Sequence, residues 1–214
     1  MMTKYIDLEA PYNDGIFTKL GQELRNGKIV VFKTDTVYGI GTNAYLEKAC
    51  QKIYEIKGRP IYKPLSVLIS DISMLKELVT CITPTEQKLM DAFWPGALTI
   101  KFKKKENVLP DIVSAGDEYI RVRFVKSGLA HRLIKEAGVP IVAPSANLSG
   151  SPTGTNIKNI ISEFDGKVDY ILDSGNVSSD TTSTIVEVEN EKVIVIREGK
   201  ITKDCLAKVV SLKN

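Results

Sequence analysis

Residues 139–150, reading VPIVAPSANLSG, constrain the fold of this chain more than any other stretch. Ile141, Val142 and Ala143 are apolar without alternation, the pattern of a short strand buried on both faces of a sheet. Pro144 lacks a backbone N–H, ends the ladder and forces an extended exit. Ser145, Asn147, Ser149 and Gly150 then place hydroxyls, a carboxamide and an unhindered backbone at the carboxyl end of that strand. Open α/β sheets hold ligands at this position. The same residue types also build ordinary strand-to-helix turns, so the stretch alone leaves a ligand cradle and a capped connection both open.

With 214 residues, 43% apolar and 26% charged, the chain has the composition of a soluble globular protein and the length for one domain, 1–214, with its own core. Its apolar runs are too short to cross a bilayer. The amino-terminal MMTKYIDLEAPYND lacks the apolar segment of a secretory leader. A cytoplasmic protein without membrane contact is therefore expected. Cys50, Cys81 and Cys205 are odd in number and widely spaced, as plain thiols are. His131 is the sole histidine, so a multi-histidine metal site is excluded and a Ser-His-Asp triad would hang on one residue of a predicted helix face. The net charge of +3 does not by itself imply nucleic-acid binding, and the basic run 101–105 reads as a solvated strand end.

In chain order, periodicity predicts a strand over 5–8, a helix over 14–26 stopped by Gly27, and a β-rich run over 28–32. Residues 33–41, KTDTVYGIG, read as a polar loop behind a buried strand and form a second candidate cradle. Gly39, Gly41 and Ala44 formally fit a dinucleotide fingerprint. Six residues separate Phe32 from Gly39, however, and Arg59 and Pro60 stand where an acidic ribose ligand belongs, so no such site is expected. Further helices are expected over 47–56, after Asp71, at Thr83 with a Thr83/Glu86 capping box and Pro84, over 127–137, over 156–164 capped by Thr155, and over 202–212. Strands are expected over 66–69, 97–102, 119–124, 182–188 and 192–196. Helices interleaved with strands and a late antiparallel pair give an α/β (α+β) fold built on a mixed sheet.

Two cationic patterns stand out. Lys57, Arg59 and Lys63 lie within seven positions held by Gly58, Pro60 and Pro64, a spacing suited to phosphate oxygens; Lys57 and Arg59 equally suit the negative end of the preceding helix. Arg121 and Arg123 fall on one face of their strand by alternation, lining a polar cavity or solvent.

These residues resemble the YrdC (TsaC) family, the L-threonylcarbamoyl-AMP synthases. The signatures are Thr34-Asp35-Thr36-Val37-Tyr38-Gly39, Lys57-Gly58-Arg59-Pro60, Lys63-Pro64-Leu65, Trp94-Pro95-Gly96, Pro144-Ser145-Ala146-Asn147-Leu148-Ser149-Gly150, Ser183-Thr184-Ile185-Val186 and Arg197-Glu198-Gly199, in order over most of the chain. The resemblance implies a twisted mixed sheet around a concave, positive cavity. There L-threonine, bicarbonate and ATP become threonylcarbamoyl-AMP and pyrophosphate, the start of threonylcarbamoyl modification of adenosine in tRNA.

The same resemblance implies catalytic roles for Lys57, Arg59, Ser145 and Asn147, and nucleotide contacts from Arg59, Lys63, Tyr119, Asn147, Thr155 and Arg197. Threonine would be held by Thr36, Arg123, Ser145 and Ser183, with Arg123 pairing with its carboxylate. Mg2+ would arrive with ATP, without a protein metal site or a tightly bound cofactor, and Asp35 would serve either near that ion or as a loop brace. Expected partners are downstream threonylcarbamoyl-transfer proteins, with room for weak RNA binding. Two positions depart from the family pattern, Lys33 where proline is frequent and Leu68 where longer relatives often carry histidine. The chain ends at Asn214 without the additional C-terminal domain of longer members, and so resembles their short form. An RNA-binding module is the main rival, disfavoured because aromatics are only 7% of the chain and do not interleave with its basic residues. The related carbamoyl-transfer domain of hydrogenase maturation proteins is another, disfavoured by the lack of zinc-type cysteines and partner domains.

Overall fold

Runs such as Val30-Val31-Phe32 and Ile141-Val142 are apolar on both faces, which requires a sheet covered on both sides. The computed structural model describes residues 2–9 and 15–213 and shows such a sheet. Its strands are β1 (Lys4–Asp7), β2 (Val30–Lys33), β3 (Tyr38–Asn43), β4 (Ser66–Ile69), β5 (Leu98–Lys103), β6 (Tyr119–Phe124), β7 (Ile141–Val142), β8 (Tyr170–Asp173), β9 (Thr184–Glu189) and β10 (Lys192–Arg197). They form a ten-stranded sheet in the order β1-β8-β2-β3-β7-β4-β6-β5-β9-β10. Parallel pairs (β1/β8, β2/β8, β4/β6, β5/β9) mix with antiparallel ones (β2/β3, β3/β7, β4/β7, β5/β6, β9/β10).

The helices are α1 (Gly15–Arg25), α2 (Glu47–Lys57), α3 (Ile72–Leu78), α4 (Pro84–Phe93), α5 (Asp111–Ser114), α6 (Leu129–Ala137), α7 (Ile157–Phe164) and α8 (Lys203–Ala207). One face of the sheet gives Val31 and Val142 to a core with Ile53, Leu89 and Ile160. The other gives Val30, Phe32 and Ile141 to a core with Leu20, Leu24 and Leu133 from α1 and α6. Successive strand residues thus enter different cores, which is why these runs show no alternation. The capping box at Thr83 is present, with Pro84 in the first turn of α4.

Four expectations are corrected. Residues 38–41, read as the end of a loop, belong to the fully buried strand Tyr38–Asn43 hydrogen-bonded to β2, so the second cradle shrinks to the turn between Lys33 and Tyr38. Gly41 belongs there because a Cβ would lie 2.8 Å from Phe32 and 2.9 Å from Ile141. Strand β8 was not anticipated. Helix α7 is capped by Asn156, whose side chain accepts from the Lys158 N–H, and not by Thr155. The expected helix over 202–212 stops at Ala207, and the chain returns to bridge Leu212 with Val193 of β10. Asp14, the expected first residue of α1, lies outside the described residues.

Candidate active site

Strand β7 lies between β3 and β4, antiparallel to both, in the middle of the sheet. Leaving it, Pro144 and Ala146 bind back onto β3, through Ile40 N–H to Pro144 O at 3.0 Å and Ala146 N–H to Tyr38 O at 2.7 Å. The two cradles read from the sequence are therefore stitched together along one strand. On the far side of the hairpin Thr34 Oγ1 donates to Val37 O at 2.7 Å and accepts the Thr36 and Val37 N–H groups, a local turn typical of a threonine.

Lys57 holds the 145–149 loop from behind. Its Nζ donates to Ser145 O at 2.5 Å and to Asn147 O, while its own carbonyl accepts the Ser149 N–H at 2.8 Å. The side chain is buried, which pulls its pKa down from 10.5 to about 8; Arg59 pushes the same way and Glu163 opposes. Lys57, grouped by spacing with Arg59 and Lys63 as a cation for phosphate oxygens, instead folds under the loop as a long side chain in the last turn of α2. Ser145 Oγ donates to Asn147 Oδ1 at 2.6 Å, and Asn147 Nδ2 donates to Leu148 O and Ser151 O. Glu163 of α7 accepts the Leu148 N–H at 2.6 Å.

Gly58 takes the left-handed conformation, φ 56°, and turns the chain so that Arg59 leaves the helix toward the sheet. The Arg59 guanidinium donates to Lys63 O at 3.0 Å and Pro64 O at 2.9 Å, bracing its own turn. Arg121 and Arg123 stand on the same face of β6, as alternation requires, and both line one cavity with Arg59 and Arg197. Arg123, 4% exposed, donates to Gly96 O and Thr36 Oγ1, each at 2.9 Å, and forms an ion pair with Asp35. Asp35 therefore braces the loop through its ion pair with Arg123, and not through an Asx-type turn onto its own backbone. Arg197 donates to Ser183 O at 2.7 Å, and Ser183 Oγ shares a hydrogen bond with Thr99 Oγ1 at 2.9 Å.

Burial lowers the pKa of all four guanidiniums. Arg197 sits at the rim, yet its guanidinium turns inward onto Ser183, where Arg121, Arg123 and Arg59 push it down further. All four remain charged at any ordinary pH.

Thr36, Arg59, Arg123, Ser145, Ser183 and Arg197 thus share one cavity, together with Leu68 and Arg121, and among the described residues no carboxylate lines it. Lys57, Lys63, Tyr119, Asn147 and Thr155 fall outside the lining. Asn147 touches it through Ser145. Lys63 points to solvent, and the Tyr119 ring carries Lys101 Nζ at 4.7 Å from its centroid. Lys101 itself is no free strand end, since it pairs with Asp117 and Glu187 at 3.0 Å each. His131 stacks on Phe124, away from the cavity. Lys33, one of the two departures, donates to Ser174 O and Asn176 O. Sequence reasoning missed Thr99 and Glu163, whose partners are 84 and 15 residues away and leave no local signature. Among the described residues no group of three or more His, Cys, Asp or Glu is placed to hold a metal.

A family model described as telomere recombination, covering Sua5, YciO and YrdC proteins, matches residues 22–199. The chain is 39% identical over 214 residues to the threonylcarbamoyl-AMP synthase of Bacillus subtilis, covering 98% of this chain and 62% of that protein. It is 38% identical to the putative threonylcarbamoyl-AMP synthase of Methanocaldococcus jannaschii, covering 96% of each. The crystal structure of Sua5 from Pyrococcus abyssi complexed with L-threonine superposes with a TM-score of 0.92 at 32% identity, over 99% of this chain and 63% of that one. The chain thus spans about three fifths of the length of the Bacillus and Pyrococcus relatives.

Proposed function

The chain belongs to the Sua5/YciO/YrdC family, and on that premise we propose that it is a threonylcarbamoyl-AMP synthase, forming threonylcarbamoyl-AMP and pyrophosphate from L-threonine, bicarbonate and ATP. One observation carries the reading: four guanidiniums converge on a cavity that also carries the hydroxyls of Thr36, Ser145 and Ser183, the first beside Arg123 and the last beside Arg197, and whose described lining holds no carboxylate. Such a site needs a polyanion at one end and a small polar molecule at the other.

In the reaction, the threonine amine attacks the carbon of bicarbonate and water leaves, giving a carbamate. A carbamate oxygen then attacks the α-phosphorus of ATP, the bond to the bridging oxygen breaks, and pyrophosphate departs with its electron pair. No protein nucleophile is required. The protein's task is to bring two anions together and to neutralise charge growing on the phosphoryl oxygens and the leaving group. Arg59 and Arg197 serve the phosphates, while Thr36, Ser145, Ser183 and Arg123 hold the amino acid. Lys63, Tyr119, Asn147 and Thr155 border the nucleotide from outside the cavity wall. Lys57 keeps the Ser145 loop in place from beneath. Mg2+ would come with ATP, which suits a site whose nearby Asp35 is already paired with Arg123.

No described helix is long and apolar enough to cross a membrane, and we place the reaction in the cytoplasm, feeding threonylcarbamoyl-transfer proteins that modify tRNA. The test is pyrophosphate release with ATP, bicarbonate and each amino acid in turn. Threonine-dependent release is expected; release indifferent to the amino acid, or none at all beside tight RNA retention, overturns the reading.

A further inference from the structure

Three of the four cavity guanidiniums are held by the fold, and Arg121 is not. Arg59 bonds two carbonyls, Arg123 a carbonyl, a hydroxyl and a carboxylate, and Arg197 the Ser183 carbonyl. Arg121 makes no side-chain hydrogen bond among the described residues, and its Nε is buried without a partner. A buried donor of a charged group is rarely left unmade unless something else completes it. The carboxylates near enough to be felt by Arg121 are Asp117 and Glu187. Lys101, its cross-strand neighbour on β5, bonds both at 3.0 Å and keeps them from it.

Strand register places Arg121 relative to the rest of the site. Ser66, Arg121 and Lys101 form one cross-strand row, and Leu68 and Arg123 belong to the next, displaced by two residues, about 7 Å. The second row carries the closed cluster of Arg123, Thr36 and Asp35. Electrostatically, Arg59 feels Arg121, and Arg197 feels Arg121 ahead of Arg123 and Arg59. Arg121 therefore neighbours both residues assigned to phosphate from the outer row, while Arg197 itself pairs with Ile185 and so aligns, through Thr99, with the row of Arg123. A single carboxylate cannot balance Arg59, Arg121 and Arg197 together, whereas the terminal phosphates of a nucleotide can, and a planar guanidinium fork matches their oxygens.

We propose that Arg121 is a further substrate-binding residue of this cavity, donating its free guanidinium to the terminal phosphates of the nucleotide, those that leave as pyrophosphate. The assignment rests on the nucleotide reading of the site given above. It also means that Arg121 works against the ligand-free fold, through a buried Nε–H left without a partner and through repulsion with Arg59 and Arg197, offset in part by Asp117 and Glu187.

The test uses the full chain, with Arg121→Gln and Arg121→Lys, and reads pyrophosphate and threonine binding by calorimetry alongside thermal unfolding without ligand. Arg121→Gln is expected to weaken pyrophosphate binding by about tenfold or more, the loss of one charge-assisted contact. It should leave threonine affinity within about twofold and raise the unfolding temperature of the free protein; Arg121→Lys should fall between. In turnover, KM for ATP should rise while KM for threonine holds. Equal pyrophosphate affinity in wild type and Arg121→Gln overturns the proposal, as does a loss confined to threonine, or a wild type that binds no pyrophosphate. If wild type shows threonine-dependent turnover and Arg121→Gln matches it in every constant, the role of Arg121 falls alone. If turnover is absent but pyrophosphate binding still drops in Arg121→Gln, the anion site stands and the synthase reading falls.

Discussion

Arg123 and Arg121 lie two residues apart on one face of β6, and the fold treats them in opposite ways. Arg123 is enclosed by Gly96, Thr36 and Asp35, each taking one of its donors, so this end of the cavity is braced before any ligand arrives, with the remaining N–H groups left for the amino acid. Arg121 faces the same cavity with no side-chain hydrogen bond among the described residues, beside two more guanidiniums. A self-satisfied cluster gives rigid geometry, which suits recognition of a small molecule by shape and hydrogen bonding. A group of like charges held apart by a stiff sheet stores electrostatic strain that an arriving polyanion relieves, which suits a site where negative charge builds as a leaving group departs.

If that contrast is right, the closed end answers to mutation through stability and the open end through rate. The largest effect is expected at Asp35→Ala, which strands the Arg123 charge in a buried position. Unfolding in urea should show a loss of about 3 kcal/mol or more, and a loss below about 1 kcal/mol would mean that the closed end is not held by this pair. Next is Arg59→Ala, which should slow pyrophosphate release by roughly 10²-fold, about 2.7 kcal/mol in the barrier. Its unfolding temperature should change little, because relief from the neighbouring cations offsets the lost bonds to Lys63 O and Pro64 O; wild-type turnover in this variant would break the assignment of the open end to phosphate.

Lys57 sharpens the comparison from beneath, as a buried cation serving the Ser145 loop. Its folded pKa of about 8 lies below its ordinary 10.5, so between these values the unfolded chain binds more protons than the folded one and stability rises with pH. Relative to Lys57→Met, the wild type should gain on the order of 1 kcal/mol between about pH 7 and 9, read from denaturant midpoints at each pH. A difference that does not move with pH would place the ammonium in water. The smallest effect calibrates the rest: Thr83→Ala removes the α4 cap, far from both ends, and should lower stability by about 1 kcal/mol with pyrophosphate release unchanged.

Much of the site could be read in the sequence, because its parts are local. The buried strand ending at Pro144, the polar loop after it, the glycine turn that redirects Arg59 and the shared face of Arg121 and Arg123 all follow from backbone chemistry and strand alternation. What escaped reading is contact between distant segments. Strand β8 is four residues long and pairs in parallel with β1 and β2, neither of them adjacent in sequence, so no turn signal announced it. The tail looked helical by spacing, yet Val209 and Val210 are poor helix formers, and backbone bonds between Val193 and residues 211 and 213 won instead.

The order of residue types along the chain by itself determined which segments are strands buried on both faces, where the sheet's ligand-side loops fall, and that cations and hydroxyls stand on those loops. Only the tertiary structure decided what each of those side chains is bonded to. Lys57 went under a loop, Asp35 to Arg123, and Asp117 and Glu187 to Lys101, leaving Arg121 open. Side-chain direction along a strand or helix is a local property of the backbone, whereas partnership among charges depends on which strands lie side by side, and strand order is settled by packing across the whole sheet.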